Sequence, residues 1–145
     1  MINRMQGGMA AATQNLTAYA AIFLTIAVLD AVWLGLIATG WYQQALGHLM
    51  AARPRWGAAL AFYLVYAAGI LVFVVIAQKD SAAWQTVLVY GAFFGLVAYA
   101  TYDLSNLATL RDWPVAITVL DMAWGSTISA IAALAGWSAY RIGPA

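Results

Sequence analysis

Hydrophobic residues follow one another in four long runs instead of alternating with polar ones. The runs lie at about residues 17–39, 57–77, 84–107 and 114–137. A helix needs about 20 mostly apolar residues to cross the hydrocarbon core of a bilayer, and each run is about that long. The pattern therefore predicts an all-α polytopic membrane protein, an antiparallel bundle of four transmembrane helices with both termini on one side of the membrane.

The segment between the first two runs, GWYQQALGHLMAARPRW, is too polar to cross the bilayer and too apolar for a free loop. It predicts a short interfacial helix at about residues 42–52, with Trp41, Tyr42 and Trp56 at the level of the lipid headgroups. We expect residues 1–15 to form a flexible tail and residues 1–145 to make a single transmembrane domain.

The turn between the third and fourth runs reads RDWP. Aspartate is a favoured N-cap, and proline is tolerated in the first turn of a helix, where its missing N–H matters least. We therefore expect Asp112 to cap the fourth helix and Pro114 to lie in its first turn.

Composition supports a membrane location, since 66% of the residues are hydrophobic and only 8% are charged. The chain has no cysteine and one histidine, His48, which excludes thiolate and histidine-cluster metal sites. We expect no metal and no cofactor, and the net charge of +1 argues against nucleic acid as a partner. Orientation stays open, because the basic residues divide equally between Arg4, Lys79 and Arg141 on the terminal side and Arg53, Arg55 and Arg111 on the other side.

Two of the runs contain an aspartate three residues before a tryptophan, in VLDAVWLG (residues 28–35) and VLDMAWGS (residues 119–126). At a rise of about 1.5 Å per residue, Asp30 and Asp121 both lie roughly 20 Å from the terminal side of the membrane. Asp103, late in the third run, approaches the same half from its own helix. Because a charged side chain facing lipid is costly, all three are expected to face inward.

Residues three and four apart share one face of a helix, which places aromatic and amide side chains beside the three acids. The sequence thus predicts an acidic, aromatic pocket with an arginine at its mouth, built from Asp30, Trp33, Tyr99, Asp103, Asn106, Arg111, Asp121 and Trp124. Such a pocket suits an organic cation, a shared proton or a ligand with an acidic head group. Alternatively, the same polar groups only hold the helices in register.

Gly91 and Gly95 form a small-xxx-small pair in GAFFG. This spacing lets a second helix approach closely. It indicates packing within the bundle or, as the alternative, a homodimer interface.

Several stretches resemble a family of small bacterial membrane proteins, domain of unknown function 2177. They are LDAVWLG, FYLVY, GAFFGLVAYATYDLSNLATLRDWP and LDMAWGS, within residues 24–130. Ser105 stands where the family commonly has threonine, which keeps the hydroxyl. The resemblance implies a four-helix protein of the bacterial inner membrane, adds Tyr102 to the candidate ligand-binding residues, and also directs attention to Trp113, Pro114 and Gly125. It implies no activity.

Three functions remain open at this point. The first is binding or transport of a small cationic or amphipathic ligand, with proton coupling as an option. The second is an enzyme embedded in the membrane that acts on a lipid or isoprenoid through acid and base catalysis by the aspartates. The third is a structural or accessory subunit in which the polar network is architectural.

Overall fold

The computed structural model describes residues 2–81 and 83–143, and their side chains from residue 6 onward. Within these residues all regular structure is helical. The helices are α1 (Ile2–Val32), α2 (Thr39–Leu46), α3 (Trp56–Ile70), α4 (Trp84–Thr109) and α5 (Val115–Ile142). Two of them continue as π-helical turns, α1 through Trp33–Ile37 and α3 through Leu71–Ile76.

Four helical segments are long and apolar enough to cross a membrane: Gln6–Ile37, Trp56–Ile76, Trp84–Thr109 and Val115–Ile142. The predicted bundle of four transmembrane helices is therefore confirmed. The short α2 lies between the first two spans, where an interfacial helix was expected, but it is shifted toward the N-terminus. It ends at Leu46 because Gly47 follows, and glycine is a poor helix former.

The N-terminal region differs from the expected flexible tail. Met1 lies outside the described residues, and the chain is helical from Ile2 onward. No proline interrupts this stretch, and the hydroxyls of Thr13 and Thr17 bond back to carbonyls of the preceding turn. α1 is therefore longer than the bilayer requires.

Asp112 does not cap α5, which corrects the sequence prediction. It is exposed and has a φ of 58°, and the N-cap position belongs to Pro114, which makes no side-chain capping bond. Trp113 fixes this turn instead. Its indole is buried and donates a hydrogen bond of 3.1 Å from Nε1 to Oγ1 of Thr118 in the first turn of α5.

α5 is the central helix and packs against both α1 and α4. The terminal-side half of the bundle holds an apolar core drawn mainly from Ala18, Ile22, Ile26, Ile70, Val74, Val75, Val87, Ala132, Ala133 and Trp137. Gly136 permits its closest contact, since a Cβ there would lie 2.7 Å from Cδ1 of Ile22 and 3.3 Å from Cγ2 of Val75.

Gly91 and Gly95 are buried where α4 crosses α5. A Cβ added to Gly91 would lie 2.8 Å from Cβ of Ala133, and one added to Gly95 would meet the carbonyl of Gly125. The packing interpretation of this pair is therefore correct. Within the chain, α5 already occupies the face that the homodimer alternative would use.

Candidate ligand pocket

A cavity of about 400 Å³ opens in the loop-side half of the bundle, the end that carries α2. Every helix contributes to its walls. The lining residues are Asp30, Leu34, Tyr42, Ala59, Phe62, Tyr63, Tyr99, Tyr102, Asp121 and Trp124. These residues define the acidic pocket, and five of them were predicted from the sequence: Asp30, Tyr99, Tyr102, Asp121 and Trp124.

Asp30 reaches the pocket from the last turn of α1 and is almost fully buried. Its Oδ1 accepts a hydrogen bond of 2.9 Å from Nε1 of Trp124 on α5. The hydroxyl of Tyr63 on α3 also faces this carboxyl group. Immediately beyond, α1 loosens into the π-helical turn Trp33–Ile37, a distortion that is frequent at functional sites.

The two copies of the Asp-x-x-Trp motif play different parts. Asp30 of the first copy bonds to Trp124 of the second, so the copies join α1 to α5. Trp33 stacks on Trp124 with ring centroids 4.3 Å apart and planes within 7°. Trp33 therefore braces a pocket residue from behind and does not line the cavity.

Asp121 is half-buried at the start of α5 and accepts a hydrogen bond from the hydroxyl of Tyr42 on α2. This contact ties the short helix to the end of the bundle. Tyr42 was predicted to be a headgroup-level aromatic, whereas in the structure it is part of the pocket.

The aromatic walls depend on close helix approach. A Cβ on Gly125 would meet the ring of Tyr99, so this glycine lets Tyr99 lie directly against α5. Tyr102, one turn further along α4, packs edge to face on Trp113 with ring centroids 5.9 Å apart. Both tyrosines are thus held by neighbours outside the cavity.

Asp103 does not join the acidic pocket, which corrects the prediction of one site with three acids. Tyr99, one turn earlier on the same face of α4, lines the cavity, but Asp103 is not among the lining residues. It is fully buried, and neither carboxyl oxygen has a hydrogen-bond partner in the described part of the chain. Half-buried Asn106 and exposed Arg111 also lie outside the lining.

Sequence reasoning missed the other five lining residues, which are Leu34, Tyr42, Ala59, Phe62 and Tyr63. Tyr63 had a usable signal. It lies seven residues into α3 from Trp56, which places it roughly 10 Å from the loop side, the same depth as Asp121. Tyr42 had none, because its position depends on the course of α2 across the bundle.

The pocket offers carboxylates, hydroxyls and aromatic faces, and its lining, as far as side chains are described, includes no lysine, arginine or histidine. No group of three or more histidine, aspartate or glutamate side chains suited to a metal ion occurs in the described residues. Carboxyl groups beside aromatic faces are, in general, groups that can bind a cation or exchange a proton.

Comparison with curated proteins gave no match, and comparison with solved structures gave none either. Residues 15–138, well over half of the chain, match the family described as "Predicted membrane protein (DUF2177)". This range contains every residue of the acidic pocket. The four spanning helices and the family match together identify the chain as an integral membrane protein that belongs to the domain of unknown function 2177 family.

Proposed function

We propose that this protein binds a small cationic or amphipathic ligand in the acidic pocket, as a receptor or transporter in the cytoplasmic membrane of a bacterium. One observation carries the proposal. Two carboxyl groups from different helices, Asp30 and Asp121, line the same cavity, and among the side chains that the structure describes no basic one lines it with them.

Charge within the bilayer favours a cationic ligand over an anionic one. Ionised carboxylates in a membrane are costly unless something compensates them, and here their hydrogen-bond donors are neutral, Trp124 for Asp30 and Tyr42 for Asp121. A bound organic cation supplies the positive charge that compensates the carboxylates. The faces of Tyr99 and Tyr102 stabilise it further through cation–π attraction, which is strongest where water is displaced.

The same two carboxyl groups make ligand binding sensitive to pH. A proton and a cation compete for a carboxylate, so by linkage each weakens the binding of the other. We expect affinity for a cation to fall as the solution is acidified. In a transporter this competition would couple ligand movement to proton movement.

The experiment is equilibrium binding of radiolabelled tetraphenylphosphonium, a lipophilic aromatic cation, to purified protein in phosphatidylcholine nanodiscs. Asp30→Asn and Asp121→Asn should each weaken binding by about tenfold or more, a loss of roughly 1.4 kcal/mol. Asp112→Asn is the matched control, because it removes a carboxylate from an exposed turn outside the pocket. Equal affinity in all four proteins would refute the proposal.

A structural role is the second candidate, and a specific observation favours it. Both pocket acids bond to another helix, since Asp30 joins α1 to α5 and Asp121 joins α5 to α2. If architecture is their whole purpose, Asp30→Asn and Asp121→Asn lower the melting temperature while no cation binds to any form of the protein.

A further inference from the structure

An apolar groove runs along the membrane-spanning part of the bundle between α3 and α4. Its volume is about 550 Å³. It is lined by Ala61, Phe62, Val65, Tyr66, Gly69, Phe73, Phe94 and Ala98. From Phe62 to Phe73 it extends about 16 Å along α3, at a rise of about 1.5 Å per residue.

The groove exists because α3 and α4 separate toward the loop side. α4 contacts the π-helical end of α3, Leu71–Ile76, while α3 itself packs mainly on α1. Aromatic rings span the gap that remains, with Tyr66 edge to face against Tyr99 at a centroid distance of 6.2 Å. The small side chain of Ala98 on α4 leaves the gap open.

The groove is continuous with the acidic pocket. A connecting cavity of about 410 Å³ is lined by Phe62, Tyr66, Ala98, Tyr99, Tyr102 and Asp121. It shares Phe62, Tyr66 and Ala98 with the groove, and it shares Asp121 and both other tyrosines with the acidic pocket. The three cavities therefore adjoin one another and define a path from the acidic pocket, past the rings of Tyr66 and Tyr99, to the exposed ring of Phe73.

We propose, resting on the function proposed above, that the ligand is a cationic amphiphile with one hydrocarbon chain, which reaches the site sideways from the bilayer. Its charged head lies between Asp30 and Asp121, and its chain lies in the groove between α3 and α4. The polarity along the path supports this arrangement, because both carboxyl groups are at one end and only apolar and aromatic side chains line the other.

The groove selects the ligand's shape more than it adds driving force. A hydrocarbon chain that moves from lipid into the groove leaves one apolar environment for another, so the hydrophobic effect contributes little. Any preference of the chain for the groove over lipid comes from its packing against the rings of Phe62, Tyr66 and Phe94. The effect of chain length on affinity must therefore be compared between variants of the protein. Each ion partitions into the lipid equally in all of them, so partitioning cancels in the comparison.

The test is competition of alkyltrimethylammonium ions, from butyl to dodecyl, against tetraphenylphosphonium in phosphatidylcholine nanodiscs. Ala98→Phe places a ring at the junction of the groove and the connecting cavity, and Ala61→Phe narrows the groove from α3. Ala20→Phe is the matched control, because Ala20 is exposed on α1 beside a separate depression.

Ala98→Phe and Ala61→Phe should weaken competition by the dodecyl ion about tenfold more than competition by the butyl ion, while Ala20→Phe changes neither. If the two groove variants affect both ions equally, or neither, the groove does not hold the chain and the inference fails. Failure of the proposed function is separate, since it would appear as butyl binding that Asp30→Asn leaves unchanged.

Discussion

The two halves of the bundle differ in what fills the space between their helices. In the terminal-side half, aliphatic side chains and glycines bring the helices into direct contact, as Gly136 does with Ile22 and Val75. In the loop-side half, the helices also enclose cavities, and hydrogen bonds between side chains such as Trp124 and Asp30 join one helix to another. The first half supplies most of the packing that stabilises the fold.

The difference indicates where function lies. Without water in the bilayer core, packing and interhelical hydrogen bonds hold helices together. Cavities and buried carboxyl groups therefore lower the stability of the bundle. In the described residues, cavities and buried carboxyl groups occur together in the loop-side half. The pocket residues should therefore tolerate substitution better than the terminal-side core does, with ligand binding the property that is lost.

The largest effect is expected at a buried glycine of the terminal-side core. Gly136→Leu must displace Ile22 or Val75 and should destabilise the protein by about 3 kcal/mol or more. Gly35→Leu is the matched control in the loop-side half, because a Cβ at Gly35 meets nothing within 4 Å. Thermal unfolding in detergent measures both variants. Comparable melting temperatures would show that the core around Gly136 tolerates a large side chain as well as an exposed position does.

Trp124→Phe should have the next largest effect. It keeps an aromatic ring against Trp33 but removes the N–H that donates to Asp30. A buried acceptor that loses its donor costs about 1 to 3 kcal/mol. The melting temperature should fall accordingly, and Trp84→Phe, at an exposed position, should leave it unchanged. Identical melting temperatures would mean that the Asp30 bond does not join α1 to α5.

Tyr66→Phe probes the boundary between the halves with a smaller expected change. The Tyr66 hydroxyl and Oγ of Ser129 are 2.7 Å apart, and Ser129 also donates to the carbonyl of Gly125 at 2.6 Å. Because Ser129 keeps one partner, the loss should be about 1 kcal/mol. Tyr90→Phe, at an exposed site on α4, is the control in the same unfolding assay. A loss as large as that of Gly136→Leu would contradict the division into halves.

Asp103→Asn should have the smallest effect on stability. Neither carboxyl oxygen of Asp103 has a hydrogen-bond partner in the described structure, so the substitution breaks no bond there. We expect a melting temperature equal to that of the wild type or higher, and unchanged tetraphenylphosphonium binding. Loss of binding would mean that Asp103 belongs to the ligand site, as in the three-acid arrangement that the sequence predicts.

The spans and the depth of the site follow from the sequence, because long apolar runs and a fixed helical rise determine both. Asp30 and Asp121 were placed together on this basis. The packing around each side chain does not follow, and Asp103 lies outside the pocket lining although it shares a helix face with Tyr99. The course of a short helix such as α2 depends on tertiary contacts, so Tyr42 was assigned to the membrane interface instead of to Asp121.

The most direct test of a ligand site is native mass spectrometry of the purified protein, wild type beside Asp30→Asn, with Asp112→Asn as control. We predict a co-purified cationic molecule at one per chain in the wild type and the control, and its loss in Asp30→Asn. Equal adducts in all three proteins, or none in any of them together with a lower melting temperature for Asp30→Asn, would contradict the account and favour the architectural role.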